Sequence, residues 1–118
     1  MTLKECYTQL EGDYESVLAR LRSERMVQKF VLKFLNDKSY ELLTTSLEAG
    51  NYEEAFRAAH TIKGVCQNLS FTKLYESSHL LTENLRSGYG PESDELVQRV
   101  SADYRQTRTA IEALQAAL

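Results

Sequence analysis

Ala59-His60-Thr61-Ile62-Lys63-Gly64-Val65-Cys66-Gln67-Asn68-Leu69 decides the fold. Apolar residues recur through and before it at three- and four-residue spacing, at Ala55, Ala59, Ile62, Cys66 and Leu69, which is the pattern of an amphipathic helix. At about 100° per residue these five form one stripe, widened by Ala58 and Val65. His60 falls on the other side with Lys63, Gly64 and Gln67, so all four share one water-facing surface. An imidazole facing water keeps a ring nitrogen free for chemistry, and an ammonium one turn away neutralises an anion held there. Gly64 is the informative departure, because glycine inside a helix costs about 1 kcal/mol relative to alanine. Gly64 points away from the apolar stripe, so close approach by another body explains it better than a tight helix–helix crossing.

The flanking chain reads as helices throughout. Thr2 and Glu5 form a capping box for a short helix running to about Leu10 and stopping at Gly12. Asp13 caps a second helix with Val17, Leu18 and Leu21, ending near Arg22. Ser23 or Glu24 opens a third, with Met26, Phe30, Phe34 and Leu35 expected as its buried side. Residues 36–39 read as a break, and a fourth helix carries Leu42, Leu43 and Leu47 to Gly50, where Asn51 supplies a fresh cap. The helix of His60 spans about Tyr52 to Leu69. Ser70 breaks it, and Phe71 begins a partner helix with Leu74, Ser78, Leu81 and Leu85 on one stripe. Gly88-Tyr89-Gly90-Pro91 is the clearest turn. A last helix then runs from about Glu92 towards Ala117, with Leu96, Val100, Tyr104, Ile111 and Leu114 inward. Short connections make consecutive helices antiparallel. The expectation is one all-α domain: an antiparallel up-and-down four-helix bundle over residues 38–118, with short additional helices in residues 1–37 packing on or capping it.

Composition narrows the function classes. The net charge of −3 argues against nucleic-acid binding, which needs a basic surface. No apolar run approaches the ~20 residues of a membrane span, and the first residues lack a signal-peptide core. Two cysteines, Cys6 and Cys66, are too few for a disulfide framework and read as buried reduced thiols. With two histidines scattered among them they do not make a metal site. A metal-free, cytoplasmic monomer follows, and Met1 with a capped first helix suggests a free-standing chain.

His60-Thr61-Ile62-Lys63-Gly64, preceded by Ala58-Ala59 and followed by Asn68-Leu69, resembles the motif of histidine phosphotransfer (HPt) domains of bacterial two-component phosphorelays. Those are small helical bundles that relay a phosphoryl group between receiver-domain aspartates. The resemblance covers roughly Met26 to Arg86 and is strongest from Asn51 to Leu85. It implies that His60 carries the phosphoryl group on Nε2, that Lys63 supports it, and that Gly64 leaves room for the receiver. Gln67 would donate a hydrogen bond or join the docking surface, with Phe56 and Arg57 on or near the same face. On the neighbouring helix Thr82 would reach towards the imidazole, Arg86 is a weaker candidate, and His79 reads as a solvated surface residue beside Glu76 and Glu83. The chain departs from the family at Ser70, where glycine is common, and at Cys66 and Gln67, where small residues are frequent.

The resemblance also implies a phosphohistidine carrier without autokinase activity or cofactor, any Mg²⁺ belonging to the receiver partner. No glycine-rich phosphate loop is present. The alternative is a helical adaptor that binds a receiver without being phosphorylated, which requires an exposed apolar patch near Phe56. A histidine-dependent hydrolase is poorly supported, since no nucleophile, second histidine or carboxylate is visibly arranged with His60.

Overall fold

The computed structural model describes residues 1–118, folded into seven α-helices and one 3-10 turn without strands. They are α1 (Leu3–Leu10), α2 (Tyr14–Leu21), α3 (Glu24–Lys33), the 3-10 turn Phe34–Asn36, α4 (Ser39–Glu48), α5 (Tyr52–Leu69), α6 (Thr72–Leu85) and α7 (Ser93–Ala116). Side-chain caps set four of the starts. The Thr2 hydroxyl accepts from Glu5 N at 3.0 Å while the Glu5 carboxylate accepts from Thr2 N at 2.8 Å. Asp13, Ser23 and Asn51 accept from the third residue of α2, α3 and α5 in the same way. Each such cap satisfies an otherwise orphaned N–H and contributes about 1 kcal/mol.

The helices from α4 to α7 form the bundle. α5 packs most extensively against α6 and α4, α6 against α7, and α7 in turn against α1. The buried stripe of α5 is Ala55, Ala58, Ala59, Ile62, Cys66 and Leu69, mostly small side chains. Small residues there let α4 and α6 approach closely from either side. The stripe of α6 is buried as expected at Leu74, Ser78, Leu81 and Leu85.

Two stripes differ from expectation. α3 buries Val27, Val31 and Phe34, leaving Met26 37% exposed and Phe30 half-buried. Both registers have helical spacing; the β-branched pair wins the core, while Lys29 and Lys33 place their ammonium groups 5.9 and 5.4 Å from the Phe30 ring centre. On α4, Leu43 and Ser46 turn inward and Leu42 stays 45% exposed.

The N-terminal helices cap the helix that carries His60. α5 ends in a Schellman turn: Phe71 N donates to Cys66 O at 2.9 Å and Ser70 N to Gln67 O at 3.3 Å. Ser70 holds the left-handed position usual for glycine, with φ of 56°. Its hydroxyl accepts from Arg20 Nη1 at 3.0 Å and donates to Ser16 at 3.1 Å, which offsets the strain. Arg20 Nη1 also donates to Asn68 O at 2.7 Å, and the buried Tyr7 hydroxyl to Leu69 O at 2.7 Å. All four terminal carbonyls of α5 are therefore satisfied, two of them by side chains of α1 and α2. Asp13 N adds a bond to Ser70 O at 2.8 Å. Gly12 makes this contact possible, because a Cβ there would stand 2.7 Å from Ser70 O and 2.8 Å from Leu10 Cδ1 and Tyr7 Cδ2.

An aromatic chain ties this end together. Tyr14 meets Tyr7, Tyr7 meets Phe71, Phe71 meets Phe34 and Phe34 meets Tyr104, with ring centres 5.2–5.9 Å apart. Tyr104 then stacks on Tyr40 at 3.9 Å. Offset and edge-on ring pairs of this kind each add about 0.5–1.5 kcal/mol beyond burial.

Candidate functional site

α5 presents His60, Gly64 and Gln67 to solvent, with Lys63 half-buried on the flank that faces α6. Neither ring nitrogen of His60 hydrogen-bonds within the chain, so the imidazole has a free lone pair for an incoming electrophile. A Cβ built on Gly64 meets no atom within 4 Å. No neighbouring helix of this chain therefore requires glycine at that position, which excludes the helix-crossing explanation.

The far wall of the site comes from α6. Phe56 lies one turn before His60, half-buried, with ring centres 6.2 Å apart. The Arg86 guanidinium sits 5.1 Å over the Phe56 ring. Arg86 also donates to the Glu83 carboxylate, from Nη2 at 2.8 Å and from Nε at 3.3 Å. Phe56, Arg57, His60, Thr61 and Arg86 together line an open depression of about 460 Å³. Hydrogen bonding by Arg86 holds the Glu83 carboxyl below the usual carboxylate range, and the Lys63 and His79 charges lower it further. Lys63 itself forms no close ion pair. Arg86 lines the same depression as His60 with its guanidinium paired to Glu83, and Lys63, three residues after His60 on α5, carries a charge with no close partner. A cation on that turn favours an anion at His60.

The remaining expected residues fall in different places. Arg57 is exposed and already paired, at 2.6 Å from Glu54 and 2.9 Å from Glu53. Gln67 is exposed and lines the next depression along α5 with Tyr75 and Ser70. Thr82 corrects the expectation. It is 0% exposed, and its hydroxyl donates to Ser78 O at 2.6 Å, so its donor is spent on its own helix and no partner can touch it. His79 also differs: it is half-buried, its ring is stacked 6.0 Å from Tyr75, and its Nδ1 is buried without a hydrogen bond. The adaptor reading requires an exposed apolar patch near Phe56; Phe56 itself is half-covered and lies beneath Arg86, while Tyr52, one turn before it, is exposed and stacks on Tyr89.

Sequence reading did not single out Glu83, although its three-residue spacing from Arg86 is the available signal. Both thiols are buried and reduced. Burial pushes the Cys6 thiol up to about 11 and drives Cys66 higher still. No group of three or more His, Cys, Asp or Glu side chains is gathered as metal ligands, and no helix is long and apolar enough to cross a membrane.

No curated protein and no solved structure was found to match the chain. Among protein families, the Hpt domain matches residues 25–117, which takes in α3 to α7 with the His60 helix at its centre and leaves α1 and α2 outside. The helical bundle, the exposed histidine opposite the small-residue stripe of α5 and this match over most of the length agree: the chain belongs to the Hpt domain family.

Proposed function

We propose that His60 is the phosphoacceptor of a carrier that takes a phosphoryl group from an aspartyl phosphate on one receiver domain and passes it to an aspartate on another. Family membership brings histidine phosphotransfer in a phosphorelay; the observation supporting His60 is an exposed, unbonded imidazole in a depression it shares with Arg86, beside a glycine that nothing in the chain requires. The Nε2 lone pair attacks phosphorus, the bond from phosphorus to the acyl oxygen breaks, and its electron pair leaves on the aspartate carboxylate. Lys63 and Arg86 stabilise charge on the transferring oxygens. The phosphoryl–imidazole bond is itself a good donor, so the same face serves the return step. Gly64 and Gln67 form the floor on which the receiver sits, and Arg57 stands at its edge.

The test is labelling from receivers charged with acetyl phosphate, comparing wild type with His60→Gln. Label on the wild type and none on the variant supports the carrier. Equal label on both, or no label while a receiver still binds tightly, overturns it in favour of another acceptor or the adaptor.

A further inference from the structure

Residues 20–33 hold five basic side chains and one acidic, a charge of +4 in a chain of net charge −3, which leaves −7 on the rest. The excess is also uncompensated. None of Arg20, Arg22, Arg25, Lys29 and Lys33 takes part in an ion pair, whereas six of the nine basic residues elsewhere do. Glu24, the one acid in this segment, accepts instead from the Tyr14 hydroxyl at 2.9 Å.

Two of these side chains, Arg20 and Lys33, border an apolar groove of about 330 Å³ between α2, α3 and the C-terminal half of α5, and Lys29 joins Lys33 over the ring of its wall residue Phe30. Leu21, Phe30, Phe34, Val65 and Leu69 supply the apolar wall. Arg20, Lys33 and a single carboxylate, Asp37, stand on its rim. A concave apolar site whose rim carries Arg20 and Lys33, with Lys29 beside Phe30, against the one carboxylate of Asp37 fits an inserted side chain with acidic neighbours; a membrane surface would call for a protruding apolar face. Val65 and Asn68, one and four residues beyond Gly64, also line the groove, so a body seated on Gly64 reaches its lip on the same helix. Arg20 and Leu21 lie outside the family match, which makes this wall an addition of α2 to the common bundle.

We infer that this groove selects the receiver: the cognate receiver inserts an apolar side chain flanked by carboxylates between α2, α3 and α5 while its aspartate meets His60. The inference rests on the phosphotransfer reading above. It assigns partner choice to a surface separate from the reacting face, with the electrostatic share acting mainly on encounter and selectivity.

The experiment uses the full chain and the receiver domains encoded by the source organism, each charged with acetyl phosphate, keeping the one that labels His60 fastest. Lys29→Glu with Lys33→Glu, both at exposed unpaired positions, is compared with wild type and with Arg105→Glu, an exposed unpaired cation on α7. The double variant is expected to weaken receiver binding about tenfold at low salt, with the difference shrinking as salt rises. Its transfer rate at saturating receiver should stay at the wild-type value, and Arg105→Glu should bind normally. Unchanged binding in the double variant, or an equal loss in Arg105→Glu, overturns the inference while leaving the carrier intact. So does loss of binding to anionic vesicles with receiver binding preserved, which would make the patch a lipid site. A wild-type chain that accepts no label from any receiver overturns the phosphotransfer reading itself.

Discussion

Gly64 offers a perturbation in which stability and function should move in opposite directions. A methyl group at this position enters open space, with no atom within 4 Å, so Gly64→Ala incurs no clash. The change replaces the poorest ordinary helix former with the best one, inside an 18-residue helix, and should stabilise the fold by about 1 kcal/mol. For a chain of this size that is a rise in Tm of about 3–5 °C. The same Cβ projects about 1.5 Å from the backbone on the surface where the receiver is proposed to seat, one turn from His60. Phosphoryl transfer needs the reacting atoms within about 3–3.5 Å, and a displacement of about 1 Å costs on the order of a hundredfold in rate. Gly64→Ala should therefore slow transfer by about ten- to a hundredfold, and Gly64→Gln should nearly abolish it while still melting no lower than wild type. Thermal denaturation followed by circular dichroism and single-turnover transfer from a charged receiver measure the two effects. A fall in Tm for Gly64→Ala, or wild-type transfer by Gly64→Gln, would refute the reasoning.

Other perturbations separate structure from chemistry. Gly12→Ala drives a Cβ against the Ser70 carbonyl at 2.7 Å and should destabilise by about 2–4 kcal/mol, lowering Tm by about 10 °C. At a temperature where the variant is still folded, transfer through His60 should be unaltered; a Tm within the error of wild type would show that the corner does not clamp α5. Thr82→Val removes a buried hydroxyl bonded to Ser78 O and should cost about 1 kcal/mol with no change in transfer, so a slowed reaction would return the hydroxyl to the site. The thiols give a pH effect. Burial raises Cys6 from 9.0 to about 11 and Cys66 above that, so the unfolded chain releases these protons first. Their contribution is complete below pH 9 and is lost as pH rises through the folded values. Urea titrations should show stability declining above pH 9, and native protein should resist a thiol reagent that reacts freely once it is unfolded. Rapid modification of the native thiols would contradict their burial.

Local chemistry made much of the fold legible in advance. Thr2, Asp13, Ser23 and Asn51 cap their helices through neighbours three residues away, a pattern that linear sequence displays. The stripe from Ala55 to Leu69 and the exposed positions of His60, Gly64 and Gln67 follow from helical period alone. What escaped depends on distant partners. Helical spacing serves Met26–Phe30 as well as Val27–Val31, and only packing against the other helices chooses between them. Thr82 lies at the margin of its stripe, where a small rotation separates a docking hydroxyl from a buried one. The Arg86–Phe56 contact and the clamp of Tyr7, Gly12 and Arg20 on the end of α5 join residues 30 to 62 positions apart. No periodicity announces contacts of that kind. They explain why residues 1–22, which lie outside the family match, nevertheless bear on the His60 helix.

The most direct measurement is phosphorus NMR of the intact chain after charging by a receiver and acetyl phosphate, repeated on His60→Gln. A single new resonance that is stable in alkali, disappears in acid, carries the shift of an Nε2-phosphorylated imidazole and is absent from the variant is the predicted result. A resonance that persists in His60→Gln, or one with the lability of an acyl phosphate, would contradict the assignment of His60 as the relay point.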